Sequence, residues 1–325
     1  MVFDEKGKFV RKIGCQGDKE GQFQNPADVT FQNDVEILVA DEVEYGNSRI
    51  QVFTVDVEPL LKLGDSGSER VDLPIGCVCC EDKFIITDWN NRFVKVFDSK
   101  GQFLYKFGQF QLPCRAYEGQ FQNPADVIFV NDDGILVAEE CNHRIQQLNV
   151  QTGNFVKRFG KQGSGDRQLK NPASVCIKSD GEFIVVVEYG NSRIQVFTMD
   201  GEPVLKFGDI GPERLNHPIA CVCYEDKFIV TDLKNNCVKV FDSKGQFSHK
   251  FGEKGNGDGQ LEMPTGLCID NYGNLLLCDV VRIQQFTLEG TFTGKTSTVP
   301  WSVATMPDDR ILVTGFNERG VKTLR

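Results

Sequence analysis

The sequence predicts an all-β fold, a β-propeller of four-stranded antiparallel blades, and three observations support this prediction. Two exact repeats, YGNSRIQVF at 45–53 and 189–197 and VKVFDSKGQF at 94–103 and 238–247, share an offset of 144 residues. A proline opens each of seven units, at intervals of 48, 50, 48, 46, 46 and 36 residues. A period in the forties with strand-like segments is typical of propeller blades, because helical repeats would show a 3.6-residue periodicity instead.

The unit at 172–208 illustrates the four strands of one blade. Its strand segments are short and rich in β-branched and aromatic residues, and they read PASVCIK, EFIVVVE, RIQVFTM and PVLKFG. Turn residues separate them, with Ser-Asp-Gly at 179–181 and Met-Asp-Gly at 199–201. Four antiparallel strands per unit make a propeller blade. We expect the Phe of each Lys-Phe-Gly ending to pack between neighbouring blades, at Phe107, Phe207 and Phe251.

The repeats place the whole chain, 1–325, in a single propeller domain. The blades open near residues 26, 74, 124, 172, 218, 264 and 300. Residues 1–14 align without a gap on 96–108, so they are expected to supply third and fourth strands, while 300–325 supplies a first, a second and a third strand. Joining both ends in one blade removes free sheet edges. The count predicts seven blades, and six remain an alternative because the last interval is only 36 residues.

Composition narrows the class of protein. The chain is 40% hydrophobic and 25% charged, as is usual for a soluble globular protein. It has no run of about 18 apolar residues that would span a membrane. Met1 is followed by VFDEKGKFV, which lacks the apolar region of a signal peptide. We therefore expect a cytoplasmic protein without a membrane partner, and we expect a monomer because no feature predicts an oligomer.

The twelve cysteines are expected to be reduced thiols, because the chain is neither small nor signalled for secretion. Several alternate along apolar strands, as in Cys77-Val-Cys79 and Cys221-Val-Cys223. Thiols in such positions behave as small hydrophobic groups. A zinc site would use paired cysteine and histidine clusters at ligand spacing, and the sequence shows none. We therefore predict no metal and no cofactor.

A signature precedes the third strand of five units, with an acidic residue three positions before an asparagine. It reads Glu44-x-x-Asn47-Ser-Arg49, Asp88-x-x-Asn91, Glu139-x-x-Asn142-His143-Arg144, Glu188-x-x-Asn191-Ser-Arg193 and Asp232-x-x-Asn235. Asparagine tolerates turn geometry and arginine can pair with the acid. We therefore expect the signature to close a tight loop, with function lying where the blades differ.

This signature resembles the NHL repeat. The likeness rests on its CNHRIQQL version and on the VFxxxGxFxxKFG pattern that follows elsewhere, and it covers essentially the whole chain. The likeness extends to the C-terminal propellers of tripartite-motif (TRIM-NHL) proteins of the Brat and LIN-41 type. It implies a non-catalytic recognition module of a larger TRIM-type ubiquitin-ligase-like protein, attached to RING, B-box or coiled-coil segments. The alternative that it implies is recognition of single-stranded RNA for post-transcriptional regulation. Propellers of that group usually have six blades, and those that bind RNA carry a basic upper surface.

The inter-blade loops and the loops between the second and third strands lie on one face of a propeller, because strands alternate in direction. We call this the loop face. Long variable loops on a rigid scaffold are where binding residues concentrate. These loops together carry about −7 of the net charge of −10, so a polyanion is repelled on average.

Two sets of residues on the loop face are candidate ligand-binding residues. A locally basic stretch in two consecutive inter-blade loops suits RNA, and comprises Arg115, Lys161, Arg167 and Lys170 near Tyr117. The second set contains the aromatic residues that follow the signature acid, Tyr45, Trp89 and Tyr189. We expect them to stack on bases or to anchor a peptide, and the alternative is that they cap the blade beneath. His143 lies in a loop of the same face. We favour a protein or peptide partner, with single-stranded RNA as the alternative.

Enzymatic activity is not predicted for this domain. NHL-like propellers include a zinc-dependent amidating lyase, whose chemistry needs several metal ligands that converge on the central channel. Of the three histidines, His143 and His217 fall in loops and His249 falls in an outer fourth strand. No nucleophile elbow or phosphate-binding glycine motif occurs either.

Overall fold

The computed structural model is a closed ring of antiparallel sheets. It describes residues 2–3, 9–13, 15–16, 19–32, 36–42, 48–54, 56, 58–80, 82–108, 117–131, 133–280, 282–296, 300–305, 311–315 and 320–324. The helices in these ranges are two 3-10 turns, Gly67–Glu69 and Leu233–Asn235, and neither is long or apolar enough to cross a membrane.

The chain begins with four short strands, β1 (Val2–Phe3), β2 (Phe9–Ile13), β3 (Cys15–Gln16) and β4 (Gln22–Phe23). Six blades follow, each made of four consecutive strands that are hydrogen-bonded in sequence order. Blade I comprises β5 (Asn25–Gln32), β6 (Glu36–Glu42), β7 (Arg49–Thr54) and β8 (Pro59–Leu63). Blade II comprises β9 (Pro74–Cys80), β10 (Lys83–Asp88), β11 (Phe93–Asp98) and β12 (Phe103–Phe107). Blade III comprises β13 (Pro124–Asn131), β14 (Gly134–Glu139), β15 (Arg144–Asn149) and β16 (Asn154–Phe159).

The second half of the ring repeats this order. Blade IV comprises β17 (Pro172–Ile177), β18 (Phe183–Glu188), β19 (Arg193–Thr198) and β20 (Pro203–Phe207). Blade V comprises β21 (Pro218–Tyr224), β22 (Lys227–Asp232), β23 (Cys237–Phe241) and β24 (Phe247–Phe251). Blade VI comprises β25 (Leu267–Ile269), β26 (Leu275–Cys278), β27 (Ile283–Phe286) and β28 (Phe292–Thr296). The last strands are β29 (Pro300–Thr305), β30 (Ile311–Gly315) and β31 (Gly320–Leu324).

A seventh sheet, the closing sheet, contains both ends of the chain in the order β1-β2-β31-β30-β29. β2 pairs antiparallel with β31, with Lys12 opposite Lys322. The expectation that residues 1–14 supply both a third and a fourth strand is wrong in part. Because β31 already occupies the third position, only β2 serves as a fourth strand, and β1 pairs with β2 through two residues and with β31 through one.

The first strands of the blades form the innermost layer, because each contacts the first strand of the next blade all the way around, from β5 to β29 and back to β5. The apolar cores lie between adjacent blades. Phe207 of blade IV, for example, packs at ring-centroid distances of 5.0 and 4.8 Å from Phe228 and Phe241 of blade V. Phe107 packs in the core between blades II and III, and Phe251 packs in the core between blades V and VI. The predicted packing of the Lys-Phe-Gly phenylalanines is therefore confirmed.

Candidate functional site

A buried ion pair in each of blades I to VI holds the loops of the loop face in place. Its nitrogen–oxygen distances run from 2.6 to 3.4 Å, and the pairs are Asp41–Arg49, Asp88–Lys95, Glu139–Arg144, Glu188–Arg193, Asp232–Lys239 and Asp279–Arg282. The cation also donates to carbonyl oxygens of the preceding inter-blade loop. Arg193, for example, donates to the carbonyls of Gly165 and Gln168 at 3.2 and 2.8 Å. One buried pair thus joins two loops of the face.

The signature asparagines complete this arrangement and have a structural role, as the sequence predicts. The Asn191 side-chain amide donates to the Glu188 carboxylate at 2.6 Å, and Asn91, Asn142 and Asn235 make the same contact in their blades. In blade I, Arg49 pairs with Asp41, and the signature acid Glu44 lies outside the residues that the structure describes. The loop after β6 is longer there, so the acid opposite Arg49 in the strand register lies three positions earlier in the sequence.

Blades II and V use lysine where the other blades use arginine, and the lysine stands two positions later in the third strand. Lys239 bonds the Asp232 carboxylate at 3.0 Å and the Arg214 carbonyl at 2.7 Å. In blade IV the residue at this position is Gln195, which donates to Glu188 and to the Gln168 carbonyl at 2.7 Å each. A single lysine therefore replaces the arginine and glutamine of the other blades, which the sequence signature does not reveal.

Three predicted site residues, His143, Lys170 and Tyr189, come together where blades III and IV meet on the loop face. With Glu140 and Asn171 they form what we call the III–IV sector. The Tyr189 hydroxyl donates to the Glu140 carboxylate, and His143 Nδ1 accepts from the Asn171 amide at 3.0 Å. Burial and the nearby Lys170 ammonium lower the pKa of His143. Burial and the bond to Glu140 raise the pKa of Tyr189.

The sector continues toward blade V, because the Tyr189 ring lies 5.9 Å from the ring of His217 at an interplanar angle of 34°. An acid, a cation and two aromatic rings therefore stand side by side on the loop face. Glu140 occupies the position after the signature acid, which holds the aromatic candidates Trp89 and Tyr189 in other blades, and it is not among the predicted site residues. Its contact with Tyr189 joins a loop of blade III to a loop of blade IV, so no pattern within either repeat predicts it.

The remaining basic candidates lie along the inter-blade loop that leads into blade IV. Lys161 is exposed at the start of this loop, where its carbonyl accepts from the Leu169 amide at 2.8 Å. Arg167 is exposed and pairs with Glu202, which is exposed as well. Its φ is 60°, whereas the equivalent residues of three other loops are glycines, Gly21, Gly119 and Gly259, with φ from 68 to 76°. A non-glycine residue in this conformation is strained.

The other predicted residues lie outside the III–IV sector. Trp89 is half-buried in the equivalent loop of blade II, where its amide donates to the Leu73 carbonyl at 3.2 Å. Tyr117 is 51% exposed, and its carbonyl accepts from Arg144 at 2.9 Å. Tyr45 and Arg115 fall outside the residues that the structure describes.

Three thiols come together in the structure, although the sequence shows no cluster at ligand spacing. The sulfur atoms of Cys176, Cys221 and Cys223 lie within 4.8 Å of one another. Contacts with the thiols of Cys176 and Cys221 lower the pKa of Cys223 to about 5. Nine cysteines whose side chains the structure describes are free thiols. Of the others, Cys77 and Cys278 are buried in apolar cores, as predicted, whereas Cys141 is exposed.

Comparison with known proteins relates this chain to propellers with NHL repeats. A model described as an NHL repeat matches residues 121–148, and one described as a 6-bladed beta-propeller matches residues 215–323. Protein brain tumor of Drosophila melanogaster is 36% identical over 149 residues, which are 45% of this chain and 14% of that protein. Residues 121–148 therefore match an NHL repeat, and the chain resembles an NHL-repeat propeller. Its predicted resemblance to the propellers of TRIM-NHL proteins is confirmed.

Two further comparisons concern the extent of this propeller and its fold. The B-box type zinc finger protein ncl-1 of Caenorhabditis elegans is 31% identical over 158 residues, which are 46% of this chain and 18% of that protein. The propeller therefore spans less than a fifth of the length of either relative. A solved streptogramin B lyase superposes with a TM-score of 0.74 at 12% identity, covering 96% of this chain and 95% of the other. At that identity the superposition shows the fold alone.

Proposed function

We propose that this NHL propeller is a non-catalytic binding module that recognises a protein or peptide client on its loop face, within a larger TRIM-type ubiquitin-ligase-like protein. The observation that carries the proposal is the mixed chemistry of the III–IV sector, where Tyr189, Glu140 and Lys170 stand together on a scaffold fixed by buried ion pairs. The B-box in the name of the relative ncl-1 supports the TRIM-type setting, because a B-box is one segment of that architecture.

A peptide suits this sector better than a polyanion does. Tyrosine rings are frequent anchors of protein interfaces, and adjacent charges of both signs can match a peptide that carries both. The Glu140 carboxylate accepts from the Tyr189 hydroxyl, and its negative charge would repel a phosphate at this point. Arg167, an exposed cation of the predicted basic stretch, is paired with Glu202.

Selection of peptides from a displayed random library tests the proposal directly. A peptide enriched on the propeller should lose at least tenfold in affinity for the Tyr189→Ala variant and keep its affinity for Tyr189→Phe, because the ring is the anchor. Tyr272→Ala is the matched control, since Tyr272 is 64% exposed in the turn between β25 and β26, on the opposite face. Equal binding to all four proteins would overturn the assignment to the III–IV sector.

Single-stranded RNA is the second candidate, and one observation favours it. Arg167 keeps a strained conformation at a position where three other loops have glycine, and such strain concentrates at functional sites. Lys161 and Lys170 extend the exposed basic residues of the same loop.

Binding of a randomised RNA pool at two salt concentrations separates the two candidates. If RNA is the ligand, an enriched motif should show salt-sensitive binding that the Lys161→Glu/Lys170→Glu variant loses. The control is Lys244→Glu, in an exposed turn of the opposite face. Absence of enrichment at low salt would leave the peptide proposal in place and exclude RNA as a ligand of this propeller.

A further inference from the structure

The three clustered thiols lie at the interface between blades IV and V, on the innermost strands. Cys176 belongs to β17, and Cys221 and Cys223 belong to β21. The sulfur atoms of Cys176 and Cys223 are 3.9 Å apart. Cys221 is buried, and the other two side chains are half-buried.

Strand geometry explains why these residues converge. Alternate residues of a strand point to the same side, so Cys221 and Cys223 both face blade IV, and Cys176 faces them from the adjacent strand. All three pack with the apolar core between the blades, which includes Phe183 and Phe228. The thiols are thus held by two rigid strands in a site largely screened from water.

The spacing of the sulfurs matches a metal site. Thiolate–metal distances are about 2.3 Å for zinc, and three sulfurs at this distance in a trigonal plane lie about 4.0 Å from one another. Cys176 and Cys223 already have this separation. A small inward rotation of side chains would bring the most distant pair to it, since all three sulfurs lie within 4.8 Å of one another.

We propose that Cys176, Cys221 and Cys223 bind one soft metal ion in trigonal thiolate coordination, with Cu(I) as the preferred ion. Soft thiolate ligands select Cu(I) among the biological metals, together with zinc and iron–sulfur clusters. Structural zinc sites have four protein ligands, whereas the described residues offer three clustered donors here. Binding of the ion displaces the thiol protons, because the thiolate is the ligand form of cysteine.

The interface three blades away provides an internal comparison. Cys77 and Cys79 stand 144 residues before Cys221 and Cys223, at the interface between blades I and II. The residue of β5 that corresponds to Cys176, counted from the blade-opening proline, is Thr30. That interface therefore has two thiols where the other has three, and we expect one bound ion per chain instead of two.

Anaerobic titration of the reduced protein with Cu(I), in the presence of the chromogenic chelator bicinchoninate, tests this proposal. The wild-type chain should retain one Cu(I) at chelator concentrations that strip it from Cys176→Thr, a substitution that reproduces the blade I–II interface. Cys79→Ala, at the position equivalent to Cys223, should still retain one. Circular dichroism of each variant establishes that the propeller is folded. X-ray absorption of the copper-loaded chain should show three sulfur neighbours at a single distance.

Several outcomes would overturn the proposal. Release of copper by the wild-type chain and by Cys176→Thr at the same chelator concentration would show that the cluster is not a metal site. Retention of zinc in preference to Cu(I) would contradict trigonal coordination of a soft monovalent ion. Loss of copper from Cys79→Ala would place the site at the wrong interface. None of these results bears on peptide binding at the loop face, so the two proposals stand or fall separately.

Discussion

Loss of the arginine from one buried ion pair should destabilise the ring by an amount that follows from its contacts. In Arg193→Cys, the Glu188 carboxylate remains fully buried without the guanidinium that lies 2.7 Å away. The carbonyls of Gly165 and Gln168 lose their donor as well. Removal of one partner of a buried pair costs about 3–5 kcal/mol. The unfolding entropy of about 2.1 cal/mol/K per residue, applied to 325 residues, converts this to a decrease in melting temperature of about 4–7 °C.

Blade V uses a lysine in its buried ion pair, and this arrangement suggests a second substitution that should restore the stability of Arg193→Cys. Adding Gln195→Lys to Arg193→Cys gives blade IV the Cys237 and Lys239 arrangement, in which one ammonium bonds both the acid and the loop. We expect the double variant to recover most of the lost stability in urea and thermal unfolding. Hydrogen exchange of the 161–171 amides should be faster in the single variant and near wild type in the double variant. A single-variant cost below about 1 kcal/mol, the value for exposed pairs, or no recovery in the double variant, would refute the reasoning.

Two further predictions concern an acid of the innermost layer and a turn glycine. Burial raises the pKa of Asp126 to about 6 from 3.8, so its folded state holds the proton more tightly. The stabilisation is complete below about pH 4 and is lost as pH rises through 6. Relative to Asp126→Asn, the wild type should lose about 2 kcal/mol between pH 4 and 7 in urea unfolding; a constant difference would contradict the assignment. Gly245→Ala should be less stable than Gly181→Ala by about 1–3 kcal/mol, because both have positive φ but only at Gly245 does a new Cβ meet Phe207, at 2.7 Å. Equal melting temperatures of these two variants would contradict the packing argument.

The fold was predictable from the sequence because the repeats specify its strands and their order. Strand content, blade order and the inter-blade position of Phe207 all follow from a period that is visible without any structure. The ion pairs were predictable only in part. Arg193 and Glu188 share one short motif, whereas Lys95 and Lys239 occupy a different strand position from the arginines, so an alignment by residue type misses them.

The candidate site was less predictable, since its contacts cross from one blade to another. Glu140 meets Tyr189 through loops that lie 49 residues apart, and Cys176 meets Cys223 across 47 residues. No local motif encodes such a pair. Alignment of the repeats on their prolines gives the strand position of each residue, but the side of the strand that faces the next blade emerges only from the assembled ring.

We call the pairing of β2 with β31 in the closing sheet the seam of the ring. Its formation has a cost in chain entropy that differs from that of the blades. Every blade from I to VI pairs strands that are close in sequence, so each can form from a local segment of chain. β2 and β31 meet only after a segment of about 310 residues has been closed into a loop, as the pairing of Lys12 with Lys322 shows. Compared with a ten-residue hairpin, this closure costs about 3 kcal/mol more in chain entropy. We therefore expect the seam to form last during folding and to part first under mechanical tension, while the blades beside it stay intact.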